Sequence, residues 1–121
     1  MSSTFSFPSN KPLPVAVRVT GNTATTIVDG TNEAFFVPWF EVNENNGSTP
    51  ALTVDLYDGT NPHYLGHDEG TVVWNARTVV AWSSYKFTAG YIVPIGWKLR
   101  VTSNDASGRF HVLGIKSRLL S

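Results

Sequence analysis

Two of the three histidines, His63 and His67, stand four residues apart, with Asp68 and Glu69 beside the second. Same-parity histidines on an extended chain point one way, so this spacing with a carboxylate is a conceivable metal-binding set. Gly66 argues against it, because a turn there breaks the extended geometry, and His111 has no placed relation to the pair. The histidines are expected to flank a turn at the surface, and no metal or cofactor site is expected. Asp55 and Asp58 could pose as paired carboxylates. An aspartate closing a strand and another opening a turn need no catalytic explanation. The chain has no Gly-x-Ser-x-Gly, phosphate-cradling glycine loop or dinucleotide fingerprint, and no cysteine to act as a metal ligand. An enzyme is the least expected reading, and no catalytic residue is assigned.

The aromatics are the other candidates. Trp39, Trp74, Trp82 and Trp97, with four tyrosines, could stack on sugar rings as in carbohydrate-binding sandwiches. Core and interface packing is the commoner use of large aromatics. Trp97 is in phase with Leu99 and Val101 and is expected in the core, whereas Trp74 and Trp82 are less constrained.

Strands must position these groups, because no helical period runs for three turns. The clearest stretch is 51–66. Leu52, Val54 and Leu56 share one parity and Thr53, Asp55 and Tyr57 the other, the pattern of a half-buried strand. Asp58-Gly59 starts a reversal that needs positive φ at Gly59, Asn61-Pro62 closes it, and His63-Tyr64-Leu65 returns. Val15 to Thr20, Thr23 to Val28, Thr71 to Trp74, Thr78 to Trp82, Tyr91 to Val93, Trp97 to Thr102 and Arg109 to Ile115 also read as strands. Tyr85-Lys86-Phe87 extends one of these or begins another. Ala34 to Val42 is apolar on both parities, so it lies in a core or under a partner, and Pro38 within it requires an edge position or a bulge. About eight strands with turns every 8–12 residues predict one antiparallel β-sandwich over residues 15–121. Jelly-roll-like and immunoglobulin-like strand orders both fit.

A chain of 121 residues is one domain by length and needs neither disulfide nor metal to fold. No apolar run is long enough to span a membrane as a helix. The first residues lack the basic and apolar regions of a signal peptide, so synthesis in the cytoplasm is expected. A formal charge of zero argues against nucleic-acid binding. Eight of the nine acids precede residue 71 and seven of the nine bases follow it, a split that a sandwich can interleave in space.

Leu56-Tyr57-Asp58-Gly59-Thr60, the return at Tyr64-Leu65-Gly66, and Pro94-Ile95-Gly96-Trp97-Lys98-Leu99-Arg100-Val101-Thr102-Ser103 run into a glycine-closed hairpin and a last strand. Over about residues 50–117 this resembles the small β-sandwich structural proteins of tailed-bacteriophage virions. These include capsid decoration (cement) proteins and components of the neck and tail. The resemblance implies assembly with a major capsid protein or other virion proteins, residence in the virion, and a homo-oligomer, a trimer for decoration proteins. It offers no catalytic residues. A carbohydrate-binding module is the alternative from another class.

Residues 1–14 lie outside that resemblance. Three prolines and four serines leave no period for a helix or a central strand, so they are read as an extended arm. Phe5, Phe7 and Leu13 are its only sizeable apolar groups, too few for a core of its own. They are the expected anchors of an arm laid across a neighbouring subunit.

Overall fold

Val15 and Val19 turn inward from strand β1, Leu13–Thr20, and set the first layer of the core. The protein is represented by a computed structural model that describes residues 11–66, 73–104, 106 and 109–119. After β1 come β2 (Thr25–Asp29), β3 (Phe35–Glu44), β4 (Ala51–Tyr57), β5 (Pro62–Tyr64), β6 (Arg77–Thr78), β7 (Ser84–Phe87), β8 (Tyr91–Val93), β9 (Lys98–Ser103) and β10 (Arg109–Arg118). No helix occurs among the described residues, so none there is long and apolar enough to cross a membrane.

One sheet runs β1-β10-β3, with β7 and β8 sharing the far side of β3. The other runs β2-β9-β4, with β5 and β6 sharing the far side of β4. Each sheet is thus four strand positions wide, and every ladder is antiparallel. Numbered along the chain, the eight positions order as 1-8-3-6 and 2-7-4-5. First pairs with eighth, second with seventh, third with sixth and fourth with fifth. That is one long hairpin rolled into two layers, the jelly-roll order rather than the immunoglobulin one. The 51–66 stretch is its innermost hairpin, so its turn is the tip of the whole nested ladder.

The two inner faces meet in a single core. Val37, Phe40, Val42, Phe87, Val93, Phe110 and Val112 come from the first sheet, and Val28, Leu52, Val54, Leu99 and Val101 from the second. Phe40 and Phe87 stack at 4.5 Å between centroids. Trp74, tied to the second sheet by the Val54 N–H to its carbonyl and by its own N–H to the Leu65 carbonyl, is the largest fully buried side chain, edge-on to Tyr85 at 4.7 Å.

The two-faced apolar pattern of β3 has a specific cause. Trp39 pairs with Ile115 and Phe36 with Ser117, so Val37 and Pro38 together oppose Lys116. This bulge switches the inward parity from Phe35 and Val37 to Phe40 and Val42. It also places Pro38, which has no N–H to give, at the break in a central strand.

Three expectations are corrected. Thr78 to Trp82 is not a strand beyond β6: Val79 donates to the carbonyl of Pro50, and residues 80–83 turn as the chain changes sheets. Trp97 is not fully buried: it precedes β9, packs half-buried against the core and stacks on His63. Thr53 and Asp55, expected on a wet face, are buried. The first strand begins two residues before the expected Val15, since Leu13 and Pro14 open β1 opposite Lys116 and Ile115. Phe5 and Phe7 lie outside the described residues.

Candidate functional site

The β4–β5 turn is built by its own polar groups. Gly59 has φ +100°, a region open to glycine at no cost. One Asp58 carboxylate oxygen accepts the N–H groups of Thr60 (2.8 Å) and Asn61 (2.7 Å), and the other faces His63 Nε2 at 2.9 Å. The Asn61 N–H, the His63 ring and the Thr60 N–H lower the Asp58 pKa to about 2. His63 in turn stacks on Trp97 with centroids 5.1 Å apart. Asp58 and His63 are therefore spent on the turn. His67, Asp68 and Glu69 lie outside the described residues, and no group of three or more potential metal ligands occurs among those described.

Asp55 is not a partner of Asp58. Arg100, opposite it on β9, donates from Nε to Oδ1 at 2.9 Å and from Nη2 to Oδ2 at 3.1 Å. The same guanidinium lies 3.9 Å over the Tyr57 ring. Thr53 Oγ1 donates to Asn104 Oδ1 and accepts the N–H of Ala76. These interactions explain why a polar parity can be buried on the outer side of the second sheet. They are structural.

At the opposite end of the sandwich Glu44 points inward and is 2% exposed. Its carboxylate accepts the N–H groups of Asn46, Gly47 and Trp82 and the hydroxyl of Ser48, at 2.9–3.1 Å. Burial alone would raise its pKa, but the donors from Trp82, Asn46 and Ser48 together outweigh it and the pKa is lowered. Glu44 thus ties the β3–β4 loop to the 80–83 turn. Nothing in the sequence distinguished it from an ordinary loop acid.

The outer face of the first sheet is different in kind. Phe36, Trp39, Ile92 and Leu113 are 37%, 39%, 55% and 45% exposed. Register makes them neighbours: Phe36 pairs with Ile92, Trp39 with Ile115, and Leu113 follows two residues before Ile115 on the same side. Beyond Leu113 the face turns polar. Glu41 pairs with Lys86 across β7, Asn43 donates to the carbonyl of His111, and Asn45 contacts the His111 ring. A shallow depression between β1 and β10 is lined by Ala16, Val17, Arg18, His111 and Leu113. The apolar face was legible only in part, as the double parity of β3. Its continuation through Leu113 and Ile92 depends on which strands flank β3.

No protein-family model matches the chain, and no curated protein matches it. Solved structures share its β-rich architecture at low identity. A chain of the cyanophage Pam1 capsid asymmetric unit is 12% identical with a TM-score of 0.46, over 99% of this chain and 93% of that one. The CBM22-1-GH10 modules of Clostridium thermocellum xylanase 10B, complexed with xylohexaose, are 15% identical with a TM-score of 0.39, over 92% of this chain but 25% of that one. A Bacillus endospore appendage protein that forms disulfide-linked pili is 16% identical with a TM-score of 0.43, over 99% of both chains. At these values none of the likenesses carries an argument about what this chain binds.

Proposed function

We propose that this chain is a structural protein of a bacteriophage virion, a capsid decoration (cement) protein that binds the major capsid lattice and stabilises it. The observation that carries this reading is the apolar outer face of the first sheet. An antiparallel sheet that faces water on one side is normally polar there. Here a contiguous apolar field formed by Phe36, Trp39, Ile92 and Leu113 gives way to a polar margin of Glu41, Lys86 and Arg18. An exposed apolar field rimmed by polar residues is the form a protein-binding surface takes. The sequence resemblance over residues 50–117 supplies the kind of partner, and the trimeric state belongs to the proposal with it. The function is binding rather than catalysis, with the polar clusters of Asp55, Asp58 and Glu44 each consumed by the fold.

The proposal extends to the arm, whose residues 1–10 lie outside the described ones. Pro12 and Pro14 hold Lys11 and Leu13 out of helical conformations, so the chain enters β1 extended. It enters at the end of β1 that faces Ile115 and Lys116, which is the apolar end of the sheet. Burying Phe5 and Phe7 on a neighbouring subunit contributes on the order of 2 kcal/mol each before ordering costs.

The test is to add the purified protein to undecorated capsids of the phage that encodes it and to measure the temperature at which they open. The reading requires that temperature to rise with occupancy. Sedimentation velocity of the free protein separates a trimer from a monomeric binding module.

A further inference from the structure

We propose that Trp82 is the platform of a second, separate binding site, one that takes an uncharged pyranose ring of a glycan. The site stands at the end of the sandwich, between the 44–48 loop and the 80–83 turn, and does not rest on the assembly reading.

The backbone is the first reason. Trp82 has φ +63°, where a bulky L residue is strained. It occupies the third position of a turn in which Ser83 donates to the carbonyl of Val80 at 3.2 Å. Positive φ at that position is the place for glycine or asparagine. A tryptophan is kept there although the core gains little from it, since the residue is 70% exposed, the most of the large apolar residues described.

The seat is the second reason. The Trp82 N–H is anchored to Glu44 Oε1 at 2.9 Å. The Nε1 and Cζ2 edge of the indole lies so close to Gly47 that an added Cβ there would stand 2.9 Å from both atoms. Gly47 itself has φ +66°, so the loop is shaped to receive the ring. One edge of the indole is held and most of the ring is left open.

The rim decides the ligand. Ser83 follows the indole, its hydroxyl donating to the Val80 carbonyl, and Asn46 and Ser48 come from the loop beneath it, the Ser48 hydroxyl donating to Glu44; both hydroxyl oxygens keep acceptor capacity for a ligand. Within the 44–48 loop and the 80–83 turn the one charged residue, Glu44, is buried and already accepts four donors, so it presents no anion to a ligand; Arg109 stands at the same end, its carbonyl accepting the Asn45 N–H. A protein anchor would sit inside a wider apolar field, as on the first sheet, whereas within the 44–48 loop and the 80–83 turn Val80 is the one other exposed large apolar residue. An open indole among neutral amides and hydroxyls suits a ring with one C–H face and an equatorial fringe of hydroxyls.

The experiment follows the indole N–H signals by NMR while the full chain is titrated with cello-, malto-, manno- and chito-hexaose. The expected result is a saturable shift of the Trp82 signal with at least one of them, with the Trp39 signal unmoved. Trp82→Gly, which suits the local φ, should weaken that binding at least tenfold without lowering the melting temperature, and Trp82→Phe should retain part of it. The proposal is overturned if no oligosaccharide moves the Trp82 signal, or if Trp39 responds equally. A clear fall in melting temperature in Trp82→Gly would show instead that the residue is there for stability. Perturbation of Trp82 by capsids alone would assign it to a protein contact and also overturn the glycan site.

Discussion

Asp58 shows how much of a turn can rest on one carboxylate. Its pKa of about 2 in the folded chain lies below its ordinary value of 3.8, so the unfolded chain binds the proton more readily. The stabilisation from Asp58 is therefore complete above about pH 4 and lost as pH falls toward 2. Unfolding free energies of the wild type and Asp58→Ala, measured across that range, should converge as the pH drops. Beside it, Gly59→Val forces a β-branched residue to φ +100° and should destabilise the fold by roughly 1–3 kcal/mol, read from the denaturant midpoint. Both residues were legible, because Asp-Gly between alternating runs has a local mechanism. Trp74 and Trp97 were not. How deeply each is buried depends on contacts that no spacing encodes: Trp74 is bonded to Val54 of the second sheet and to Leu65 and is fully buried, and Trp97 packs on the core's margin and meets His63 of β5.

At the level of strands, period-2 alternation located β1, β4, β9 and β10 within a few residues. It failed where parity changes inside a strand or where β-branched residues line a crossing. The bulge at Val37-Pro38 turns β3 over, so a sequence that looks apolar on both faces has one core face and one exposed apolar end. Thr78 to Trp82 has strand composition, yet only its first residue lies in a strand, β6, because the chain must pass between layers there. The β4–β9 ladder departs in another way, by burying Asp55 against Arg100 on its outer side. Arg100→Leu should leave that carboxylate buried without its partner and cost roughly 3 kcal/mol in chemical denaturation. The double replacement Asp55→Leu with Arg100→Leu should recover most of the loss. An equal loss in both would mean that packing over Tyr57 matters more than the pair.

Among the described residues, part of the charge split along the chain is paired in space. Glu33, Glu41 and Asp55 from the acidic half meet Arg118, Lys86 and Arg100 from the basic half. The apolar field of Phe36, Trp39, Ile92 and Leu113 lies on the outer face of the first sheet, toward the end at which the chain enters β1, apart from the exposed Trp82 at the 80–83 turn. Deleting residues 1–12 should leave the melting temperature nearly unchanged while lowering incorporation into particles, since β1 begins only at Leu13. The central claim is that the outer face of the first sheet binds the capsid lattice. Its most direct test is the occupancy of undecorated capsids by the wild type and by a variant carrying Trp39→Ser and Leu113→Ser, quantified after co-sedimentation. The wild type should saturate the particle. The variant, with its core untouched and its melting temperature close to the wild type's, should bind at least tenfold more weakly. Full occupancy by the variant, or none by the wild type, would contradict the account.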